Sequence, residues 1–210
     1  MKTHYARTRI KFCGLTRAQD VEQAVSLGID ALGFVMWPKS ARGITPEKLQ
    51  TLSQQVPAFA TRVGLFVNQP VELIEQCLPY LDVIQFHGDE PASFCQQFDR
   101  PWIKALRMRD GIDLHQAAAE YTQAQALLLD AYSPGVPGGT GETFDWSRIP
   151  AALEKPVILA GGLTVENINA AIDQVKPYAV DVSGGIEALP GVKSAELMAS
   201  FVKHVSLASA

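Results

Sequence analysis

The sequence predicts a single-domain α/β protein, a (β/α)8 TIM barrel, and three observations carry that prediction. Apolar runs of strand length recur along the whole 210 residues. Between them lie stretches whose apolar residues fall at helical spacing, and strands alternating with helices imply a parallel sheet. No edge strand or break in the order is apparent, so right-handed crossovers favour closure of the sheet on itself. An open doubly wound sheet is the alternative. No linker, low-complexity tract or shift in composition marks a second domain, and residues 1–210 are expected to form one complete barrel.

The first strand is expected over 9–13, where a short β-like run stops at Cys13 and turns through Gly14 toward a helix over 20–27. Thr16 is a candidate N-cap for that helix. Strand two follows over 31–36, and Pro46 suits the first turn of the next helix because its φ is already helical. Strand three is expected over 62–67, a helix over 71–78 and strand four over 83–86. Pro91 suits another first turn; strands five, six and seven follow over 102–106, 126–130 and 157–160. Thr164 is a candidate N-cap for a helix over 165–175, and strand eight is expected over 179–182.

Composition excludes several function classes. Apolar residues make up 47% of the chain and charged residues 19%, the balance of an ordinary globular protein. A net charge of −4 with no basic run gives no electrostatic case for nucleic acid. Residues 1–20 hold no apolar signal core, and the longest apolar stretch, 31–37, is too short to cross a bilayer. The expectation is a cytoplasmic protein with no membrane partner. Three cysteines, Cys13, Cys77 and Cys95, are an odd number without metal-ligand spacing. They suggest neither a disulfide framework nor a zinc site.

Active sites of (β/α)8 barrels gather at the C-terminal ends of the strands, and the polar residues here fall there. Cys13 ends strand one, Gln85 and His87 flank the end of strand four, Asp130 ends strand six, and Asp181 ends strand eight. Period-two alternation puts Lys11 on the face of Cys13, Gln85 with His87, and Asp181 with Ser183. Each has a bland alternative alone: Cys13 a small buried hydrophobe, His87 a core histidine, Asp130 a turn cap, Asp181 a loop tie. Their convergence on one end of the barrel favours a site. Lys11 is expected to favour the Cys13 thiolate, though a structural role inside the barrel fits it equally.

Glycine suggests the ligand. Gly161 and Gly162 follow strand seven, and Ser183, Gly184 and Gly185 follow strand eight, the loops that commonly form a phosphate site in this fold. A missing Cβ lets backbone N–H groups approach phosphate oxygens. After strand two, Arg42 offers a guanidinium for a carboxylate. After strand six, the glycine-rich residues 133–141 could form a lid.

Taken in order, Lys11-Phe-Cys-Gly-Leu-Thr16, Pro38-Lys39-Ser40 with Arg42, Arg62-Val-Gly-Leu-Phe-Val-Asn68, Gln85-Phe-His-Gly-Asp-Glu90, Leu128-Leu-Asp130, Gly138-Gly-Thr-Gly141, Gly161-Gly-Leu163 and Ala179-Val-Asp-Val-Ser183 resemble the phosphoribosylanthranilate isomerase family. The resemblance covers nearly all of the chain. Phe12 stands where that family usually has isoleucine, Ala160 where serine is common, and Gly184 where a second serine is usual. The resemblance implies an Amadori rearrangement of N-(5-phosphoribosyl)anthranilate in tryptophan biosynthesis, with no metal or organic cofactor. It makes Asp130 the general acid and Cys13 the general base. Arg42 would receive the anthranilate carboxylate; Gly161, Gly162, Ser183 and Gly184 would bind phosphate. Asp181 would contact the substrate's amine or sugar hydroxyls, with Gln85 and His87 as further substrate-binding residues. The expected partner is this small phosphosugar, bound by a monomer. An epimerase-like phosphosugar barrel and a non-catalytic phosphate sensor are the rival readings.

Overall fold

A computed structural model describes residues 7–131 and 143–208. Eight parallel strands close into a barrel in sequence order, β1 (Arg9–Cys13) pairing with both β2 and β8. The others are β2 (Ala31–Val35), β3 (Thr61–Phe66), β4 (Val83–Phe86), β5 (Trp102–Arg107), β6 (Leu127–Asp130), β7 (Val157–Leu159) and β8 (Ala179–Val182). Every expected strand is present with its ends within one residue. The open sheet is excluded by the β1–β8 register, which runs from Arg9 beside Ala179 to Phe12 beside Val182.

Strand alternation builds two cores. Inside the barrel, small and branched side chains such as Val63, Ile103, Ala105, Leu128 and Ile158 pack together. Outside, Ile10, Phe12, Phe34, Phe66, Ile84 and Phe86 meet the helices. Burial on both faces is why these strands read as continuous apolar runs. Phe12 packs edge-on against Phe201 of the last helix, with ring centroids 6.2 Å apart, so the departure from isoleucine is answered by an aromatic partner.

The helical layer is less regular than expected. Helices α1 (Ala18–Ser26), α2 (Pro46–Ser53) and α3 (Val71–Cys77) fill the first three crossovers, and α2 carries Pro46 at its start behind a Thr45 cap. The fourth crossover holds a single turn, α4 (Ala92–Cys95), for which Pro91 is the preceding cap residue. Phe86, Phe94, Phe98 and Trp102 fill that side instead, their rings 5.6–6.1 Å apart. Helix α5 (Leu114–Glu120) follows, but among the described residues the sixth crossover carries only a 3-10 turn at Trp146–Arg148. Helix α6 (Ile168–Val175) and the long α7 (Ala195–Ala208) complete the layer.

Two cap expectations are corrected. Arg17, not Thr16, precedes α1, and the Thr16 hydroxyl donates to the Gly191 carbonyl at 2.6 Å. Asn167, not Thr164, precedes α6; the Thr164 hydroxyl accepts from the Glu166 N–H one turn earlier. A small hairpin after β8, β9 (Glu187–Leu189) with β10 (Val192–Lys193), was not expected. Among the described residues no helix is long and apolar enough to cross a membrane.

Candidate active site

The C-terminal mouth of the barrel holds a cavity of about 250 Å³. Its walls include Cys13, Trp37, Arg42, His87, Asp130, Asp181 and the residues of both glycine loops. Every expected site residue lines it except Gln85, which is fully buried behind His87.

Lys11 and Cys13 point inward from β1 because Ile10 and Phe12 point out. Lys11 sits beside Asp181 in the β1–β8 register, and its ammonium donates to Asp181 Oδ1 at 2.8 Å. Both side chains are more than nine-tenths buried. Burial alone would lower the Lys11 pKa, but Asp181 and the neighbouring thiol raise it well above its ordinary 10.5. The ammonium stays charged.

Lys11 acts on the thiol in the expected direction, but the net shift is upward. Burial pushes the Cys13 pKa above 9.0; Lys11 pulls it down while Asp181 pushes it further up. Lys11 does favour the thiolate, but burial, helped by Asp181, outweighs it, so the ligand-free fold favours the neutral thiol. Gly33 leaves room for this group: a Cβ there would lie 2.8 Å from Cys13 Sγ and 3.0 Å from Lys11 Nζ.

Asp130 ends β6 with one oxygen on the Ala131 N–H at 2.9 Å and the other 3.1 Å from His87 Nε2. His87 Nδ1 in turn lies 3.0 Å from the Gln85 amide nitrogen. With the nitrogen so placed, Nδ1 accepts and the imidazole proton sits on Nε2, facing Asp130. Turning the amide over would put Oε1, now buried without a partner among the described residues, against Nδ1 and call for a proton there instead.

Arg42 follows a turn in which its N–H donates to Ser40 Oγ. Its side chain lies over Gly14, where a Cβ would come within 2.6 Å of Arg42 Cδ. Nε and Nη2 grip the two oxygens of Glu187 at 2.8 and 2.6 Å. Glu187 and its partner Lys193 were missed by sequence reasoning. The available signal was the Pro190–Gly191 pair between short alternating stretches, a hairpin signature.

The glycine loops stand where expected, but two of the glycines serve packing. A Cβ at Gly161, whose φ is +82°, would collide with the Ala131 backbone nitrogen. One at Gly185 would collide with the Leu163 carbonyl, so this glycine lets the loops after β7 and β8 touch. Gly184 faces Arg42, with Nη2 3.4 Å from its would-be Cβ. The N–H groups of Gly161 and Gly162 donate to no protein acceptor among the described residues. The expected lid at 133–141 lies outside the described residues.

A family model described as N-(5'phosphoribosyl)anthranilate (PRA) isomerase matches residues 10–204. The chain is 58% identical over 206 residues to the N-(5'-phosphoribosyl)anthranilate isomerase of Chromohalobacter salexigens, covering 98% of each. Its fold is similar to the crystal structure of phosphoribosyl anthranilate isomerase from Thermotoga maritima, at a TM-score of 0.87 and 40% identity over 95% of this chain and 98% of that one. A solved isomerase in complex with reduced 1-(o-carboxyphenylamino)-1-deoxyribulose 5-phosphate is 36% identical at a TM-score of 0.80, covering 95% of this chain and 98% of its own. Matched over nearly its whole length by sequence and by fold, the chain belongs to the N-(5'-phosphoribosyl)anthranilate isomerase family.

Proposed function

We propose that the family's isomerisation of N-(5'-phosphoribosyl)anthranilate, a step of tryptophan biosynthesis, is carried out here with Asp130 as general acid and Cys13 as general base. The observation that carries this reading is one cavity lined by both groups from strands three apart around the barrel, with the glycine loops between them. Asp130 enters this step carrying a proton, with the His87 Nε2–H beside it, and donates that proton to the ribose ring oxygen; the C1–O bond breaks and an iminium forms on the anthranilate nitrogen. Cys13 removes the C2 proton. The enolamine then gains a proton at C1 as the C2 hydroxyl becomes the ketone.

The raised thiol pKa fits this order. Before the ring opens Cys13 is neutral; a cationic iminium beside it both acidifies C2–H and favours the thiolate. The backbone of Gly161, Gly162, Ser183 and Gly184 binds the phosphate. Arg42 receives the ring carboxylate on the edge that Glu187 leaves open. Trp37, Val35, Leu65 and Val67 form an apolar wall beside Cys13 suited to an aromatic ring. Asp181, held by Lys11, meets the sugar hydroxyls or the amine.

The test is to generate N-(5'-phosphoribosyl)anthranilate in place and follow the loss of its fluorescence. Wild type turns it over, and Asp130→Asn, which keeps the shape but not the proton, loses about 10²–10⁴-fold in kcat. An unchanged rate in that variant returns Asp130 to a turn-capping role. No turnover by the wild type favours a phosphate sensor, and turnover of a simple pentulose phosphate instead favours the epimerase-like reading.

A further inference from the structure

Behind Arg42 lies a buried pair, Glu187 and Lys193, outside the lining of the mouth cavity. Lys193 has a side chain with 0% exposure. Its ammonium donates to Glu187 Oε1 at 2.8 Å, to the Cys13 carbonyl at 2.7 Å and to the Ser183 carbonyl at 3.0 Å. With the Ser183 hydroxyl a longer fourth acceptor at 3.5 Å, all three ammonium protons are taken within the protein, so Lys193 has nothing left for a ligand. It ties the ends of β1 and β8 to the hairpin that carries Glu187.

Glu187 in turn fixes Arg42. A side-on grip through Nε and Nη2 sets the plane of the guanidinium and leaves the Nη1 edge open. Gripped by Glu187 alone, Arg42 would form a neutral pair, and an incoming carboxylate would face the charge of Glu187 as well. Lys193 answers that charge from the other side. The three groups together carry one net positive charge, the complement of one carboxylate.

We propose that Glu187 and Lys193 are positioning residues for substrate selection: Glu187 orients Arg42, and Lys193 keeps it electropositive toward the ring carboxylate. This rests on the reading of Arg42 as the carboxylate receptor. It predicts that the pair governs affinity for the anthranilate half of the substrate more than the rate of the chemical step.

The experiment compares binding of two ligands by calorimetry: reduced 1-(o-carboxyphenylamino)-1-deoxyribulose 5-phosphate, and the same compound built on aniline, which lacks the ring carboxylate. Glu187→Gln should weaken the first by roughly tenfold to a hundredfold, the worth of one charge-assisted contact, because losing the fixed guanidinium plane outweighs the relief of losing the Glu187 charge, and leave the second within about twofold. KM should rise more than kcat falls. In an Arg42→Met background Glu187→Gln should add nothing. Lys193→Met should show the same selectivity, and where it does not fold, Glu187→Gln carries the test. Equal weakening of both ligands by Glu187→Gln, with Arg42→Met still discriminating between them, overturns the positioning role alone. An Arg42→Met variant that weakens both ligands alike overturns the carboxylate assignment, and the proposal with it.

Discussion

Replacing Lys11 by methionine removes a cation that contacts Asp181 and lies beside the Cys13 thiol inside the barrel. Asp181 would lose its 2.8 Å partner while staying about nine-tenths buried. Breaking a buried pair from one side costs about 3–5 kcal/mol, because the remaining charge is uncompensated. Lys11→Met should therefore lose about 3–5 kcal/mol of a total near 5–15. At a slope of about 2 kcal/mol per molar urea, the unfolding midpoint falls by about 2 M. Pairing Lys11→Met with Asp181→Leu should recover most of the loss, since apolar replacement of both partners is close to neutral. Equilibrium urea unfolding by tryptophan fluorescence measures all three proteins. A loss under about 1 kcal/mol in Lys11→Met would refute the reasoning, because Asp181 would then have another partner in the fold.

Three further outcomes follow from the same geometry. Gly161→Ala should destabilise the fold by about 2 kcal/mol or more, from the left-handed φ of +82° and the collision with Ala131, and should weaken inhibition by inorganic phosphate. Because burial lifts the Cys13 pKa above 9.0, iodoacetamide should alkylate it slowly at pH 8 and faster as pH rises past 9. The fold favours the neutral thiol, so its contribution to stability is present below pH 9 and lost as pH climbs through the raised value; Lys11→Met should move the alkylation curve further alkaline. For Glu187, burial raises the pKa, but Arg42 and Lys193 outweigh it and hold it below 4.5. Its contribution is full above pH 4.5 and lost as pH falls through the depressed value, so Glu187→Gln should flatten the acid limb of a stability profile.

The strands were legible because their signal is local: residues buried on both faces read as apolar runs, and polar groups interrupt those runs at the barrel mouth. Cys13, Asp130, His87 and the glycine loops were found that way. Their partners were not, because pairing depends on closure. Lys11 and Asp181 are 170 positions apart and Arg42 and Glu187 are 145 apart; only the β1–β8 contact and the late hairpin bring them together. Thr16 shows the same limit, since a hydroxyl that locally resembles a helix cap is taken by Gly191. The two- and three-residue strands of the hairpin are too short for periodicity to register. For glycine the place was right and the reason incomplete, because Gly161 and Gly185 make room for neighbouring backbone. The sign of the Cys13 shift needed the structure as well: alternation reveals Lys11 beside the thiol, but not the full burial that outweighs it or Asp181 beside Lys11.

The most direct measurement is the turnover of Cys13→Ser set against its affinity for reduced 1-(o-carboxyphenylamino)-1-deoxyribulose 5-phosphate. Serine keeps a small polar group at the mouth but is a far poorer proton acceptor at the same position. The account predicts a loss of about 10²–10⁴-fold in kcat with affinity within about threefold of wild type, the change expected when a base is lost and the binding site is intact. Near-normal kcat, or a loss explained by weakened binding, would contradict the assignment of Cys13 as the base.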